Sequence, residues 1–118
     1  MPVTRASEIP SQEMMGTRLH FLATPANGAS ENFVLRGTVA AGGDFPAHSH
    51  DREEVLVFLS GTGTYTIGDE HGSVSAGDVA VIPAGALHVF AAAEDLDAIG
   101  VMPAGTKTFA PDGSEMAR

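Results

Sequence analysis

Short runs of apolar and β-branched residues, some alternating with polar ones, recur along the chain between turn-forming segments. In residues 17–22 (TRLHFL), Leu19 and Phe21 fall on one side and Arg18 and His20 on the other. Such alternation predicts a strand with one covered face. Further strands are predicted over 33–40, 50–59, 63–68, 73–75, 78–82, 87–93 and 96–102. The segments between them are rich in Gly, Pro, Asn and Asp: TPANGASEN at 24–32, AGGDFPA at 41–47, and turns at 61–63, 69–72, 76–77 and 83–86. These residue types supply the backbone angles that turns need. No helical periodicity is sustained beyond two turns. Many short strands spaced by turn residues predict an all-β sandwich or barrel, and closure of a barrel would remove exposed sheet edges. Residues 1–16 read as an N-terminal arm with a short strand or one helical turn, 17–102 as the body, and 103–118 as a loop-like tail.

Composition narrows the function classes. A chain of 118 residues, 43% apolar, makes one domain with a core that can stand without cross-links. There is no cysteine, which excludes disulfides, thiolate zinc sites and cysteine nucleophiles. Six basic against 15 acidic residues give a formal charge of −9, and an acidic surface repels nucleic-acid phosphates. No apolar run approaches the ~20 residues that span a bilayer, and residues 1–15 show no signal-peptide core. The expectation is a cytoplasmic protein with a small-molecule ligand, no nucleic acid and no membrane.

The stretch GGDFPAHSHDREEVLVFLSG, residues 42–61, carries the chemistry. His48, His50 and Glu54 are separated by two and four positions, so in an extended chain all three project from one face, followed at the same parity by Leu56 and Phe58. His88 lies 34 residues beyond Glu54 on another strand-like run. Imidazole and carboxylate donors together suit Fe, Mn, Ni, Cu, Co or Zn. Taken alone, an H-x-H pair is common on loops, and Glu54 fits equally well into a solvated run with Asp51 and Glu53. Their shared parity ahead of an apolar strand favours a buried site, where an unpaired carboxylate would cost several kcal/mol. No Ser/His/Asp arrangement or phosphate loop is visible.

The spacing of Gly42, His48, His50, Glu54 and Gly61 resembles the first cupin motif, G-x5-H-x-H-x3-E-x6-G. Gly77, Pro83, Gly85 and His88 resemble the second, G-x5-P-x-G-x2-H-x3-N, with Ala92 where Asn is expected. That Asn is not a ligand in the family. Fifteen residues separate the motifs, as in small single-domain cupins. The resemblance implies a double-stranded β-helix, or jelly-roll barrel, of two antiparallel sheets. It also implies one divalent transition metal per chain, held by His48, His50, Glu54 and His88, with positions left open for water, substrate or dioxygen.

Parity extended from these residues points Leu56, Phe58 and Phe90 inward. Tyr65 and Met102 are further candidates whose strand faces parity leaves open, and Phe45, just before the first His, is a candidate for the rim. The result is a mostly apolar lining that suits a modest organic molecule better than a sugar phosphate. Arg36 is either an inward partner for a substrate carboxylate or a surface group. His20 and His71 are read as structural or solvent-facing. The resemblance implies a metal-dependent enzyme of dioxygenase, lyase, isomerase or decarboxylase type, with Glu54 as the candidate base. The alternative is a non-catalytic binding or sensing domain. Val55 and Val57 point away from the ligands yet are apolar, so the second sheet, the N-terminal arm or a partner subunit must cover them. The resemblance implies a homodimer, with residues 1–16 as a candidate crossing arm.

Overall fold

The computed structural model describes residues 2–14 and 16–116. Its strands are Ser11–Met14 (β1), Thr17–Ala23 (β2), Asn32–Val39 (β3), Asp44–His50 (β4), Glu54–Ser60 (β5), Thr62–Ile67 (β6), Glu70–Ser75 (β7), Val79–Ile82 (β8), His88–Ala92 (β9), Leu96–Pro103 (β10), Thr108–Phe109 (β11) and Glu115–Met116 (β12). Helical structure among the described residues is confined to two 3-10 turns, Ala6–Glu8 and Pro25–Asn27. None of it is long and apolar enough to cross a membrane.

The strands form two six-stranded sheets, ordered β1-β2-β3-β10-β5-β8 and β12-β11-β4-β9-β6-β7. All recorded pairings are antiparallel. No ladder joins the two sheets among the described residues, so the fold is a jelly roll of two facing sheets rather than a closed barrel. Three of the four edge strands are short, β1 and β8 with four residues each and β12 with two, while the fourth, β7, has six.

Period-two alternation builds the core. Along β10, Leu96, Ala98, Gly100 and Met102 are buried while Asp97, Ile99 and Val101 are half-covered on the other face. Along β5, Glu54, Leu56 and Phe58 are buried in the same way, and along β9 so are His88, Phe90 and Ala92. Phe58 from one sheet meets Phe90 from the other with ring centroids 5.4 Å apart, and Ile82, Leu96 and Ala98 belong to the same cluster. Gly61 links β5 to β6 with a φ of +90°, and a Cβ there would lie 2.0 Å from the Asp95 carbonyl oxygen. Only glycine fits that crossing.

The structure corrects the sequence expectation in four places. The predicted strand 50–59 is two strands in different sheets, divided by a bend at 51–53. The segment 41–47 is not a loop throughout, since β4 begins at Asp44. The hairpin turn expected at 69–72 is the two-residue Gly68-Asp69, with Ile67 paired to Glu70. The tail is not merely loop: β11 pairs with β4, and β12 with β11. Within the arm, β1 hydrogen-bonds to β2 of its own chain, Ser11 opposite His20 and Met14 opposite Thr17.

Candidate metal centre

Two strands of one sheet and one of the other deliver the four ligand candidates. His48 and His50 stand two residues apart at the end of β4 and so share a face. His88 opens β9, directly opposite His48 in the β4–β9 ladder. The turn before His88, from Pro83 to Ala86, is closed by Ala86 N–H donating to Pro83 O, and it is held to β4 by Gly85 N–H donating to His50 O at 2.7 Å. Glu54 opens β5 and reaches across from the opposite sheet. The four ligands therefore do not share one extended strand. They converge because the bend at 51–53 carries the chain from sheet to sheet.

Ligand atoms of His48, His50, Glu54 and His88 all lie within 4.8 Å of one another. The ring centroids of His48 and His88 are 4.3 Å apart and those of His48 and His50 4.9 Å. His50, Glu54 and His88 are buried at 5%, 4% and 1% exposure. Glu54 Oε1 is 3.3 Å from His50 Nε2 and 3.5 Å from His88 Nε2.

Hydrogen bonds on the far side of each ring decide which nitrogen faces the centre. His48 Nδ1 is 2.6 Å from Pro46 O, and His88 Nδ1 is 3.0 Å from Ala86 O. A carbonyl only accepts, so both Nδ1 atoms carry the proton, and the neutral rings keep their lone pair on Nε2. His50 Nδ1 is 3.0 Å from the buried Thr108 Oγ1 on β11. His88 Nε2 is buried without a hydrogen-bond partner and faces a carboxylate oxygen. Two acceptors held together out of water are satisfied by a proton or a metal ion between them. This donor set, each imidazole oriented through its other nitrogen, fits a divalent transition metal.

The electrostatics agree. Burial alone would raise the Glu54 carboxyl, but the adjoining His50 and His88 rings outweigh it and hold its pKa down at about 2. Burial pushes the His48 imidazole down to about 4, and the charges of His88 and His50 add to that shift against the Pro46 carbonyl and Glu54. At neutral pH both groups are thus in their metal-binding form.

The ligands open onto an apolar cavity. Phe45, Leu56, Phe90 and Met102 line it. Phe58 and Tyr65 do not. Phe58 is sealed in the core at 1% exposure, and Tyr65, opposite Phe90, packs against the core cluster with its ring over Gly72. Phe45 and His48 face the cavity together despite their odd spacing, because the β4–β9 register shifts by one residue between them. Arg36 is outside, forked onto Asp97 of the neighbouring β10. His71 is exposed, and His20 stands on β2 away from the cavity.

Sequence reasoning missed Thr17, Leu19, Phe21 and Leu35 on β2 and β3, and Met14, Thr108 and Met116 from the two ends of the chain. For the last two a signal existed. Pro111-Asp112-Gly113 is a turn signature lying between the residues that become β11 and β12. Gly100 was missed as well: a Cβ on it would lie 2.6 Å from Glu54 Oε2.

A family model described as "Cupin domain" matches residues 35–102. No curated protein matches the chain in sequence. Among solved structures, the chain is similar to the polyketide cyclase RemF from Streptomyces resistomycificus, with 19% identity, 100% of this chain and 87% of that chain covered, and a TM-score of 0.79. It is similar to a predicted oxalate decarboxylase from Thermotoga maritima, with 22% identity over 86% of this chain and 98% of that one and a TM-score of 0.74. It also resembles salicylate 1,2-dioxygenase from Pseudoaminobacter salicylatoxidans, solved with gentisate, with 17% identity over 79% of this chain but 26% of that one and a TM-score of 0.70. At these identities the likeness carries the fold, and the three printed activities differ from one another.

Proposed function

Because the chain belongs to the cupin-domain family, its matched residues 35–102 carrying all four ligand candidates, we propose that it is a metal-dependent enzyme acting on a small organic molecule. The observation that carries this reading is the convergence of three imidazoles and one carboxylate from two sheets within 4.8 Å, beside an apolar cavity. His48, His50, Glu54 and His88 would hold one divalent transition metal. When bound, such an ion supplies Lewis acidity and open coordination positions. The chain's own residues do the rest. Pro46 O, Ala86 O and Thr108 Oγ1 orient the imidazoles. The apolar walls exclude water and bind the substrate's body. Glu54, the one carboxylate among the described residues that line the cavity, is the group that would accept a substrate proton. Dioxygenase, decarboxylase, lyase and isomerase chemistry are all compatible with this arrangement, since function is set by the site and not by the fold.

A second reading, a non-catalytic ligand-binding domain, is supported by one specific feature: among the described residues lining the cavity, no acid or base stands apart from the four ligand candidates. We also propose a cytoplasmic homodimer, in which the half-covered outer residues Val55 and Val57 become buried.

Elemental analysis of protein purified without chelator or added metal tests the site, with His50→Ala as control. The expected result is close to one Fe, Mn, Ni, Cu, Co or Zn per wild-type chain and none in the variant. Absence of metal in both, even after reloading, removes the enzyme reading. Metal without turnover in broad substrate screens moves the assignment to the binding domain.

A further inference from the structure

The polarity of the cavity narrows the ligand. The ionisable groups lining it are His48, His50, Glu54 and His88, all gathered at the candidate metal centre. The rest of its lining is apolar, as at Leu19, Phe21, Leu35, Leu56 and Met102, apart from two threonine hydroxyls. Thr17 donates its hydroxyl to Asp44 O, and Thr108 is bonded to His50. No Arg or Lys among the described residues lines the cavity. Arg36 is committed to Asp97 and Arg18 to Glu13, and Arg5, Arg52 and Lys107 are exposed. With a formal charge of −9, the protein also supplies no long-range attraction for anions.

A charge on the ligand is therefore compensated only where it touches the metal. Anywhere else an anionic group would be stripped of water without a partner. We propose that the site takes a mostly apolar small molecule with oxygen donors at one end, which meet the metal centre, and no charged group on its body. Aromatic bodies fit best, because three aromatic side chains, Phe21, Phe45 and Phe90, line the cavity. The inference rests on the proposed metal-centre reading for the position of the oxygen end, but the exclusion of distal charge follows from the lining alone.

A matched pair of probes tests it by isothermal titration: 2,3-dihydroxynaphthalene, and 6,7-dihydroxynaphthalene-2-sulfonate, which keeps the same oxygen head and adds a charge on the far ring. Both are titrated into metal-loaded and metal-free wild-type protein. The expected result is binding of the neutral compound to loaded protein, with the sulfonate at least tenfold weaker. A smaller difference, or no binding of the neutral compound to protein with stoichiometric metal, overturns the proposal. If no metal can be loaded and the tenfold preference persists in metal-free protein, the metal reading falls and the exclusion of distal charge stands. If no metal loads and neither compound binds, both fall.

Discussion

Thr108 Oγ1 lies 3.0 Å from His50 Nδ1, although 58 residues separate them in sequence. The contact exists because β11 pairs with the end of β4 and places Thr108 opposite His50 in register. With Nδ1–H donating to the hydroxyl, His50 Nε2 keeps its lone pair towards Glu54. Outer partners of this kind fix the ring and its tautomer, and their loss typically costs 10–100-fold in metal affinity. Thr108→Val is expected to weaken metal binding about tenfold in a chelator competition, while Thr108→Ser, which keeps the hydroxyl, retains most of it. Equal loss in both variants would mean that packing of the tail, and not the hydrogen bond, is what the site needs.

Gly100 sits on β10, beneath the Glu54 carboxylate. A Cβ there would be 2.6 Å from Glu54 Oε2 and 3.3 Å from Leu56 Cδ2. The backbone angles are ordinary, so the constraint is space and not conformation. Gly100→Ala is therefore expected to push the carboxylate out of place, with about 1–3 kcal/mol of overpacking and a loss of metal affinity larger than that of an equally destabilised core variant such as Ile82→Ala. The comparison is made by denaturant unfolding beside metal titration. Metal affinity unchanged in Gly100→Ala would show that Glu54 has room to settle elsewhere.

The metal-free protein should lose stability on mild acidification, through His48. Its pKa is held at about 4, whereas the unfolded chain titrates near the ordinary 6.5. Between those values the unfolded chain binds a proton that the folded chain refuses, so stability falls as pH drops from about 6.5 to about 4. One such proton corresponds to about 1.4 kcal/mol per pH unit. Glu54, held at about 2 against 4.5, contributes stability that is present above pH 4.5 and lost as pH falls from there towards 2. Urea unfolding of metal-free protein at pH 7, 6 and 5 should show the first effect, and His48→Asn should flatten the slope. An unchanged slope in that variant assigns the dependence to other groups.

The sequence carried the ligand set because spacing, not conformation, identifies it: His48, His50, Glu54 and His88 stand at intervals that the turns at 51–53 and 83–87 require. Strand positions were legible for the same reason, since a period of two survives wherever one face is covered, as along β10. The path between ligands was not legible. Simple parity from His50 to Glu54 assumes one strand, and nothing in Asp51-Arg52-Glu53 announces a change of sheet. Parity also gave the wrong depth for Phe58, which faces inward but lies in the core rather than the cavity. For Thr108 and Met116 the Pro111-Asp112-Gly113 turn signals only the local hairpin, while their place at the site depends on a long-range pairing, β11 with β4, between segments of two and seven residues.

The outer face of the β5-containing sheet predicts the oligomeric state. Val55 pairs with Val81 and Val57 with Val79 across to β8, while Val101 and Ile99 flank them from β10. These side chains share one face, and Val79 and Val81 are 58% and 57% exposed. A contiguous apolar patch of this kind marks a contact surface more often than free surface. A second copy related by a two-fold axis would bury the same stripe from both sides. Light scattering at micromolar concentration should give twice the 12.1 kDa chain mass. The double variant Val79→Glu with Val81→Glu should be monomeric, and because both positions point away from the ligands it should bind metal as the wild type does. A monomeric wild type would mean that the stripe is covered by another partner or left bare, and a dimeric double variant would move the interface elsewhere, to the crossing of residues 1–16 expected from the sequence.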